Sequence, residues 1–254
     1  MMYTNTINSF IDLALKKVVT LKQDPSSLFI GAMMAGAYIG FGVILIFSVS
    51  QEVATEYQKL VMGLTFAIAL TLVVFAGSEL FTGHIMYMTL GCLDGKTTIG
   101  DLINIWIVVW VGNFVGSIGL CALFFLTGDL AYLAATESLL QKIAISKMNS
   151  SAIELLSKGA LCNTLVCLAL WASARVNSDT TKCIIIFWCL LAFIASGYEH
   201  SVANMTLLTL SLIGDHTESI SMGGLFFNLF FVTLGNIIGG AGFVAYGYWK
   251  ADGR

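Results

Sequence analysis

The 254-residue sequence contains one proline, three histidines and few charged residues, which make up only 11% of the chain. Soluble domains usually carry about 25% charged residues, so this composition excludes an ordinary water-soluble domain. The formal charge of -3 provides no basic surface for nucleic acid. The sequence also lacks a Walker A string, kinase or hydrolase motifs and any cofactor fingerprint. We therefore expect neither an enzyme nor a cofactor-binding protein.

Six cysteines lie mostly within apolar runs, without Cys-x-x-Cys spacing or a nearby histidine. We interpret them as small core residues rather than as disulfides or metal ligands. A signal peptide is not expected, because Asp12, Lys16 and Lys17 interrupt the region where an apolar segment would lie.

Apolar residues are abundant, at 57% of the chain, and the mean hydropathy is +0.88. A membrane span needs about 20 apolar residues. Runs of sufficient length occur near 28–49, 60–91, 102–126, 153–175, 183–212 and 223–249. Six spans place both termini on one side of the membrane.

Residues 5–22 have apolar side chains at helical spacing and charged side chains elsewhere. This pattern predicts an amphipathic helix on the membrane surface, ending near Pro25. We expect three parts: an amphipathic cytoplasmic N-terminal helix at 1–25, a six-span channel domain at 26–250 and a cytoplasmic tail at 251–254.

Basic residues indicate the orientation. The face that carries the termini has Lys16, Lys17, Lys22, Lys96, Arg175, Lys182, Lys250 and Arg254. The opposite face has Lys59, Lys142, Lys147 and Lys158. Cytoplasmic loops are enriched in lysine and arginine, so both termini are expected in the cytoplasm.

The two halves of the chain resemble each other. The string G-N-x-x-G occurs at 112–116 in the third span and at 235–239 in the sixth. The second and fifth spans are both long, and polar residues interrupt them at 77–84 and 196–200. Because the repeats are three spans apart, the second copy must be inverted relative to the first, as in many transporters and channels.

Glu79, Glu199 and His200 fall inside apolar spans, where a charge costs roughly 2.5 to 3.5 kcal/mol. Each glutamate either supports the break structurally or serves the function directly. His200 is either a hydrogen-bonded core histidine or a pore residue. The pore is favoured because Asn204 follows one turn later on the same helix face.

The other polar and small residues allow several interpretations. His84 lines the path or faces a neighbouring subunit, and His216 lies in a solvated loop. The paired glycines are expected to let helices pack closely. Helix ends and free backbone N–H groups at the breaks favour an anion near the midplane.

The chain resembles the formate/nitrite transporter family. The resemblance rests on the segments 76–84, 158–163, 166–169 and 193–206, together with the two G-N-x-x-G strings. It implies an all-α membrane protein with six transmembrane helices in two inverted three-helix repeats. It also implies an aquaporin-like subunit with broken spans two and five, in a homopentamer with one anion pore per subunit.

The same resemblance implies roles for individual residues. It places Thr82 opposite His200 and makes Asn163 and Asn204 pore residues. Two apolar constrictions are implied, an outer one at Phe66, Val166 and Phe193 and an inner one at Leu70 and Leu80. Lys147 matches an outer-vestibule lysine to which the resemblance gives the role of attracting anions. Gly83-His84 departs from the formate branch, which favours nitrite.

The expected function is therefore a nitrite channel or transporter of the bacterial inner membrane. Its central histidine would hydrogen-bond or protonate the anion between the constrictions. A formate or hydrosulfide channel of the same family is the alternative, and a non-transporting scaffold or sensor is the rival class. An aquaporin-type water channel is disfavoured because the paired N-P-A signature is absent.

Overall fold

The computed structural model of the protein describes residues 2–254 and contains no strand in that range. In chain order the helices are α1 (Thr4–Gln23), α2 (Pro25–Ser50), α3 (Thr55–Ala76), α4 (Phe81–Leu93), α5 (Ile99–Leu126), α6 (Leu130–Leu133), α7 (Leu139–Met148), α8 (Ala152–Ser173), α9 (Asp179–Ala195), α10 (Ser201–Ile213), α11 (Met222–Ile237) and α12 (Gly247–Ala251). A π-helical segment, Ile238–Tyr246, joins α11 to α12.

The breaks predicted from the sequence are present. The second apolar run forms α3 and α4, and the fifth forms α9 and α10. Five segments are individually long and apolar enough to cross a membrane: α2, α3, α5, α8 and Met222–Ala251. Exposed apolar side chains on the outer surface, such as Ile107, Leu123 and Phe230, suit contact with lipid.

Polar residues between the apolar runs start the helices. Thr98 and Asp101 form a capping box at the start of α5, and Ser151 and Glu154 form another at the start of α8. Each pair satisfies backbone N–H groups that lack partners within the first turn. These caps determine where the third and fourth apolar runs begin.

Glycines allow α2 to pack on α5 and α8 on α11. A Cβ atom at Gly116 would collide with the main-chain carbonyl of Met33, and one at Gly239 with that of Ala160. Only glycine allows backbones to approach this closely. The expectation that these glycines make helix contacts is confirmed.

The amphipathic helix α1 is present, but its apolar side packs on the protein rather than on the membrane surface. Ile7 and Ala14 are fully buried. Phe10 stacks with Trp171 and Tyr87, at ring centroid distances of 5.8 and 6.3 Å. Helix α1 thus buries most of its apolar side against α4 and α8, whereas Leu15 and Val19 stay exposed.

Both termini lie on the same face. The Thr4 hydroxyl donates to Asp252 at 3.0 Å, and Arg254 donates to Asp94 at 2.5 Å. Burial works to raise the pKa of Asp252, but hydrogen bonds from Thr4 and Arg254 outweigh it and hold the pKa below its usual value. The N-terminus, the C-terminus and the loop after α4 are thereby joined.

Candidate functional site

The first break is held open by an asparagine. Helix α3 ends at Gly77, whose φ of 76° is readily adopted only by glycine. Asn113 of α5 then accepts a hydrogen bond from the Phe81 amide at 2.9 Å. Its side-chain N–H groups donate to the carbonyls of Glu79 and Ala32, at 2.9 and 2.7 Å. One buried side chain therefore satisfies two backbone groups that the break exposes and links them to a carbonyl of α2.

The second break repeats this arrangement. Gly197 has a φ of 72°. Asn236 accepts from the Ser201 amide at 3.0 Å and donates to the carbonyls of Glu199 and Gly159, at 3.0 and 2.9 Å. These bonds have the same pattern as those of the first break. They confirm the internal repeat inferred from the two G-N-x-x-G strings.

His200 and Thr82 meet where the two breaks approach each other. The His200 Nε2 atom lies 3.1 Å from the Thr82 hydroxyl, and both side chains are buried. On the other side of the ring, Nδ1 accepts a hydrogen bond from the Ala203 amide at 3.1 Å, so His200 caps α10. A backbone N–H can only donate, so Nδ1 carries no proton and the proton lies on Nε2.

This geometry makes His200 a neutral hydrogen-bond donor to Thr82. The Thr82 hydroxyl makes no other hydrogen bond within residues 2–254. Its own proton is therefore available for a further acceptor. Together the two residues can present a donor to an anion without placing a fixed charge there.

Apolar side chains surround this polar pair. The Phe193 ring stacks on His200 at 6.0 Å, and Phe66 packs edge-on against Phe193 at 5.8 Å. Val166 is also buried. On the side towards the termini, Leu70 and Leu80 are 2% and 3% exposed. The residues that the family resemblance implies for the two constrictions are thus all buried, and Phe193 is in direct contact with His200.

Two cavities approach the pair from opposite faces. The proximal vestibule, on the face of the termini, has a volume of about 420 Å³. The distal vestibule, on the opposite face, has a volume of about 320 Å³. Lining the proximal vestibule are Lys17, Leu70, Glu79, Leu80, Tyr87 and Lys182. Lining the distal vestibule are Lys59, Phe66, Lys147, Lys158, Phe193, Glu199 and His200.

The two vestibules share no lining residue. Phe66 of the distal vestibule and Leu70 of the proximal one are four residues apart on α3, about 6 Å along the helix. The closed segment between the cavities is therefore about one helical turn long. A larger groove of about 540 Å³ between α5 and α11 has no ionisable lining residue and is unsuited to handling charge.

Glu199 is the centre of a buried network beside the distal vestibule. Lys147 Nζ lies 2.7 Å from one carboxylate oxygen, and the Asn204 amide donates to the other at 2.6 Å. Asn204 also donates to Asn228 at 2.8 Å, and Asn228 donates to the Lys147 carbonyl at 3.0 Å. Both N–H bonds of Asn204 are thus already engaged. Asn228 is a member of this network that the sequence did not reveal.

Glu79 has the equivalent position in the first break. Lys17 of α1 lies 2.5 Å from one of its oxygens, and His84 Nε2 lies 3.1 Å from the other. The Tyr87 hydroxyl lies 2.7 Å from His84 Nδ1. His84 is fully buried, so it faces this cluster and not a neighbouring subunit. Lys17, read from the sequence as part of a polar helix face, belongs to the cluster.

Asn163 lies behind the pathway rather than on it. Its amide donates to the carbonyls of Thr82 and Asn236, at 3.2 and 2.8 Å. It therefore holds the Thr82 segment against the sixth span. His216, as expected, is an exposed loop residue, which bonds to the Gly214 carbonyl.

Two broken helix pairs, an internal inverted repeat and opposed vestibules together define a recognisable architecture. The sequence profile of the formate/nitrite transporter family matches residues 4–250. The chain belongs to the formate/nitrite transporter family. The structural expectation from the resemblance, an all-helical protein with two broken spans, is confirmed.

Comparison with individual relatives supports the same family assignment. The chain is 46% identical to the nitrite transporter NirC of Escherichia coli over 98% of its own length and 92% of that protein. A solved FNT family ion channel superimposes with a TM-score of 0.95 at 45% identity, covering 98% of this chain and 99% of the other. A pentameric formate channel gives a TM-score of 0.76 at 29% identity, covering 90% and 97%. These relatives are transporters and channels, and this chain is a membrane protein of that family.

Proposed function

We propose that this chain is a nitrite channel or transporter of the bacterial inner membrane, with both termini in the cytoplasm. The observation that carries the proposal is the neutral His200–Thr82 pair, enclosed by apolar rings between two vestibules. The 46% identity to a nitrite transporter, against 38% to a probable formate transporter and 29% to a formate channel, favours nitrite over the formate alternative. Permeation requires no cofactor and no covalent chemistry.

The proposed layout has six membrane spans at 26–250, a cytoplasmic helix at 1–25 and a cytoplasmic tail at 251–254. The functional unit is a homopentamer in the lipid bilayer with one pathway per subunit, in keeping with the pentameric relative. In each subunit Glu79 and Glu199 support the breaks. Lys147 contributes to the distal vestibule, and Asn163 and Asn204 hold the segments that form the pathway.

An anion that reaches His200 meets a physical conflict. It is attracted into a vestibule lined by lysines, but it loses hydration between Phe and Leu side chains, which is costly for a bare charge. We propose that the Thr82 hydroxyl, supported by His200 Nε2–H, donates to the anion and replaces part of its hydration. This step needs no change in the protonation of His200.

Transfer of a proton to the anion is a further step with a structural requirement. His200 must first accept a proton at Nδ1 from water that enters the distal vestibule, which His200 lines, and this releases the Ala203 amide from the cap of α10. The resulting imidazolium can then give the Nε2 proton to the anion through Thr82, and the neutral acid crosses Leu70 and Leu80. A neutral histidine remains, with its proton on Nδ1 until the tautomer resets.

Nitrite flux into proteoliposomes across a pH series tests the proposal. We expect Thr82→Ser to keep most of the flux, because the hydroxyl is retained, and Thr82→Val to lose it about tenfold or more, as for one lost hydrogen bond to a charged group. His200→Ala is expected to remove the pH response. Full, pH-responsive flux in His200→Ala would exclude the proton relay.

Competition and current measurements separate the alternatives. Labelled nitrite uptake that formate or hydrosulfide suppresses at lower concentrations than nitrite itself would assign one of those anions as substrate. A complete lack of anion current from the purified wild-type protein in a planar bilayer would instead support a scaffold or sensor.

A further inference from the structure

The lysines of the distal vestibule are not electrically equivalent. Lys147 lies 2.7 Å from the Glu199 carboxylate, and their side chains are only 15% and 5% exposed. The opposite charges of a buried pair at this distance largely cancel, so the pair exerts little net attraction on an ion in the vestibule. The charge of Lys147 is therefore mostly cancelled by Glu199.

Lys59 and Lys158 line the same vestibule without such a partner. Within residues 2–254 neither has a carboxylate oxygen within 4 Å of its ammonium group. The acidic residue one turn before Lys158 is Glu154, whose carboxylate accepts from the amide and the hydroxyl of Ser151, both at 3.0 Å. Lys59 and Lys158 thus have no direct ion pair in the distal vestibule, and Glu154 acts on Lys158 only through space.

The lysines of the proximal vestibule, in contrast, are ion-paired. Its two lysines both have partners, because Lys17 lies 2.5 Å from Glu79 and Lys182 lies 2.9 Å from Asp179. The two entrances of the pathway therefore carry unequal charge. Only the distal entrance has an excess of positive charge close to the polar pair.

Lys158 is also well placed along the path. Its carbonyl accepts from the Glu199 amide at 3.3 Å, which fixes its backbone beside the second break and one residue from His200. Its side chain lines the cavity that contains His200 and Phe193. A charge that lines a cleft in this way raises the local concentration of an oppositely charged solute.

We propose that Lys158 and Lys59 are the cations that collect the anion at the distal entrance, whereas Lys147 acts as a positioning residue for Glu199. This inference rests on the proposed anion permeation. It makes the distal entrance the high-affinity side for anions. Attraction at the proximal entrance is correspondingly weaker.

The test measures nitrite flux against concentration in right-side-out and inverted membrane vesicles, with Lys158→Gln, Lys59→Gln and the double variant. At an ionic strength of about 0.01 M, where charges act over about 30 Å, we expect KM from the distal side to rise about threefold for each single variant and about tenfold for the double. The maximal rate should stay unchanged. At about 1 M salt, where charges are screened within about 3 Å, the variants and the wild type should have the same KM.

Three controls distinguish attraction from structural damage. Lys142→Gln removes an exposed lysine of the same face that does not line the distal vestibule, and it should leave KM unchanged. Lys158→Arg keeps the charge and should restore the wild-type KM. Lys147→Gln should lower the maximal rate at every salt concentration, because Glu199 loses its partner.

An unchanged distal KM in the double variant, with normal wild-type flux, would overturn the inference. So would an equal rise in KM from the two sides. If the wild-type protein carries no nitrite in either vesicle preparation, it is the proposed function that fails.

Discussion

Replacing the asparagine that supports one break should destabilise the backbone of that break. In Asn236→Leu the side chain keeps the same number of heavy atoms and the same branching but loses every polar atom. The Ser201 amide and the carbonyls of Glu199 and Gly159 then lose their partner, and no water is expected to reach this buried region. The substitution removes three hydrogen bonds while the branching of the side chain is kept.

The magnitude follows from the three bonds. Interhelical hydrogen bonds in membrane proteins contribute about 0.6 kcal/mol on average and up to about 1.7 kcal/mol. Leaving a buried backbone group unpaired costs about 1 to 3 kcal/mol. The Gly159 carbonyl lies within α8 and keeps its helical partner, but the break offers the Ser201 amide and the Glu199 carbonyl no alternative. We therefore expect Asn236→Leu to lower the free energy of unfolding by about 2 to 5 kcal/mol.

Thermal unfolding in detergent, followed by tryptophan fluorescence, measures the stability, and nitrite flux reports on the pathway. Asn113→Leu is the matched variant in the other half, since Asn113 makes the equivalent three bonds. Asn113→Leu should lower the free energy of unfolding by a similar amount. An unchanged midpoint and flux for Asn236→Leu would refute the view that this side chain supports the second break.

Three further predictions concern packing, the first-half cluster and the C-terminal junction. Gly116→Ala places a methyl group on the Met33 carbonyl and should destabilise by about 1 to 3 kcal/mol, whereas Gly119→Ala, with open space at the same helix, should change stability by less than about 0.5 kcal/mol in the same unfolding assay. His84→Asn should be tolerated, because Asn204 already holds a glutamate in the equivalent place, whereas His84→Leu should lower the unfolding midpoint by removing the group 3.1 Å from Glu79. Asp252 has a lowered pKa in the folded state, so its stabilising contribution is present above its unfolded pKa of about 3.9 and is lost as the pH falls through the lower folded value. The difference in unfolding midpoint between wild type and Asp252→Asn should therefore be largest near neutral pH and should shrink in acid; a difference that grows in acid would contradict this sign.

The sequence predicted the breaks because their cause is local. Glycine and polar residues inside an apolar run cannot continue a membrane helix without partners, and Gly77 and Gly197 have the left-handed φ that such an interruption requires. The His200–Thr82 contact, in contrast, joins residues 118 positions apart. Only the resemblance to a family indicated it.

Partners within the breaks were harder to foresee. The G-N-x-x-G strings were interpreted through their glycines, but Asn113 and Asn236 satisfy the broken backbone through bonds that span 32 to 37 positions. The position of Lys17 depends on how α1 docks, which periodicity does not determine. Asn204, expected as a pore residue, does line the distal vestibule, but both of its N–H bonds go to Glu199 and Asn228, which no local pattern indicates.

The inverted repeat separates what the chain has kept from what it has varied. Each left-handed glycine and each glutamate of one break has an identical counterpart 120 positions away, at 77 and 197 and at 79 and 199. The cap positions differ, with leucine at 80 and histidine at 200. The repeat therefore supplies a symmetric frame, and the difference at a few inward positions makes its two halves chemically unlike, apolar at 80 and polar at 200.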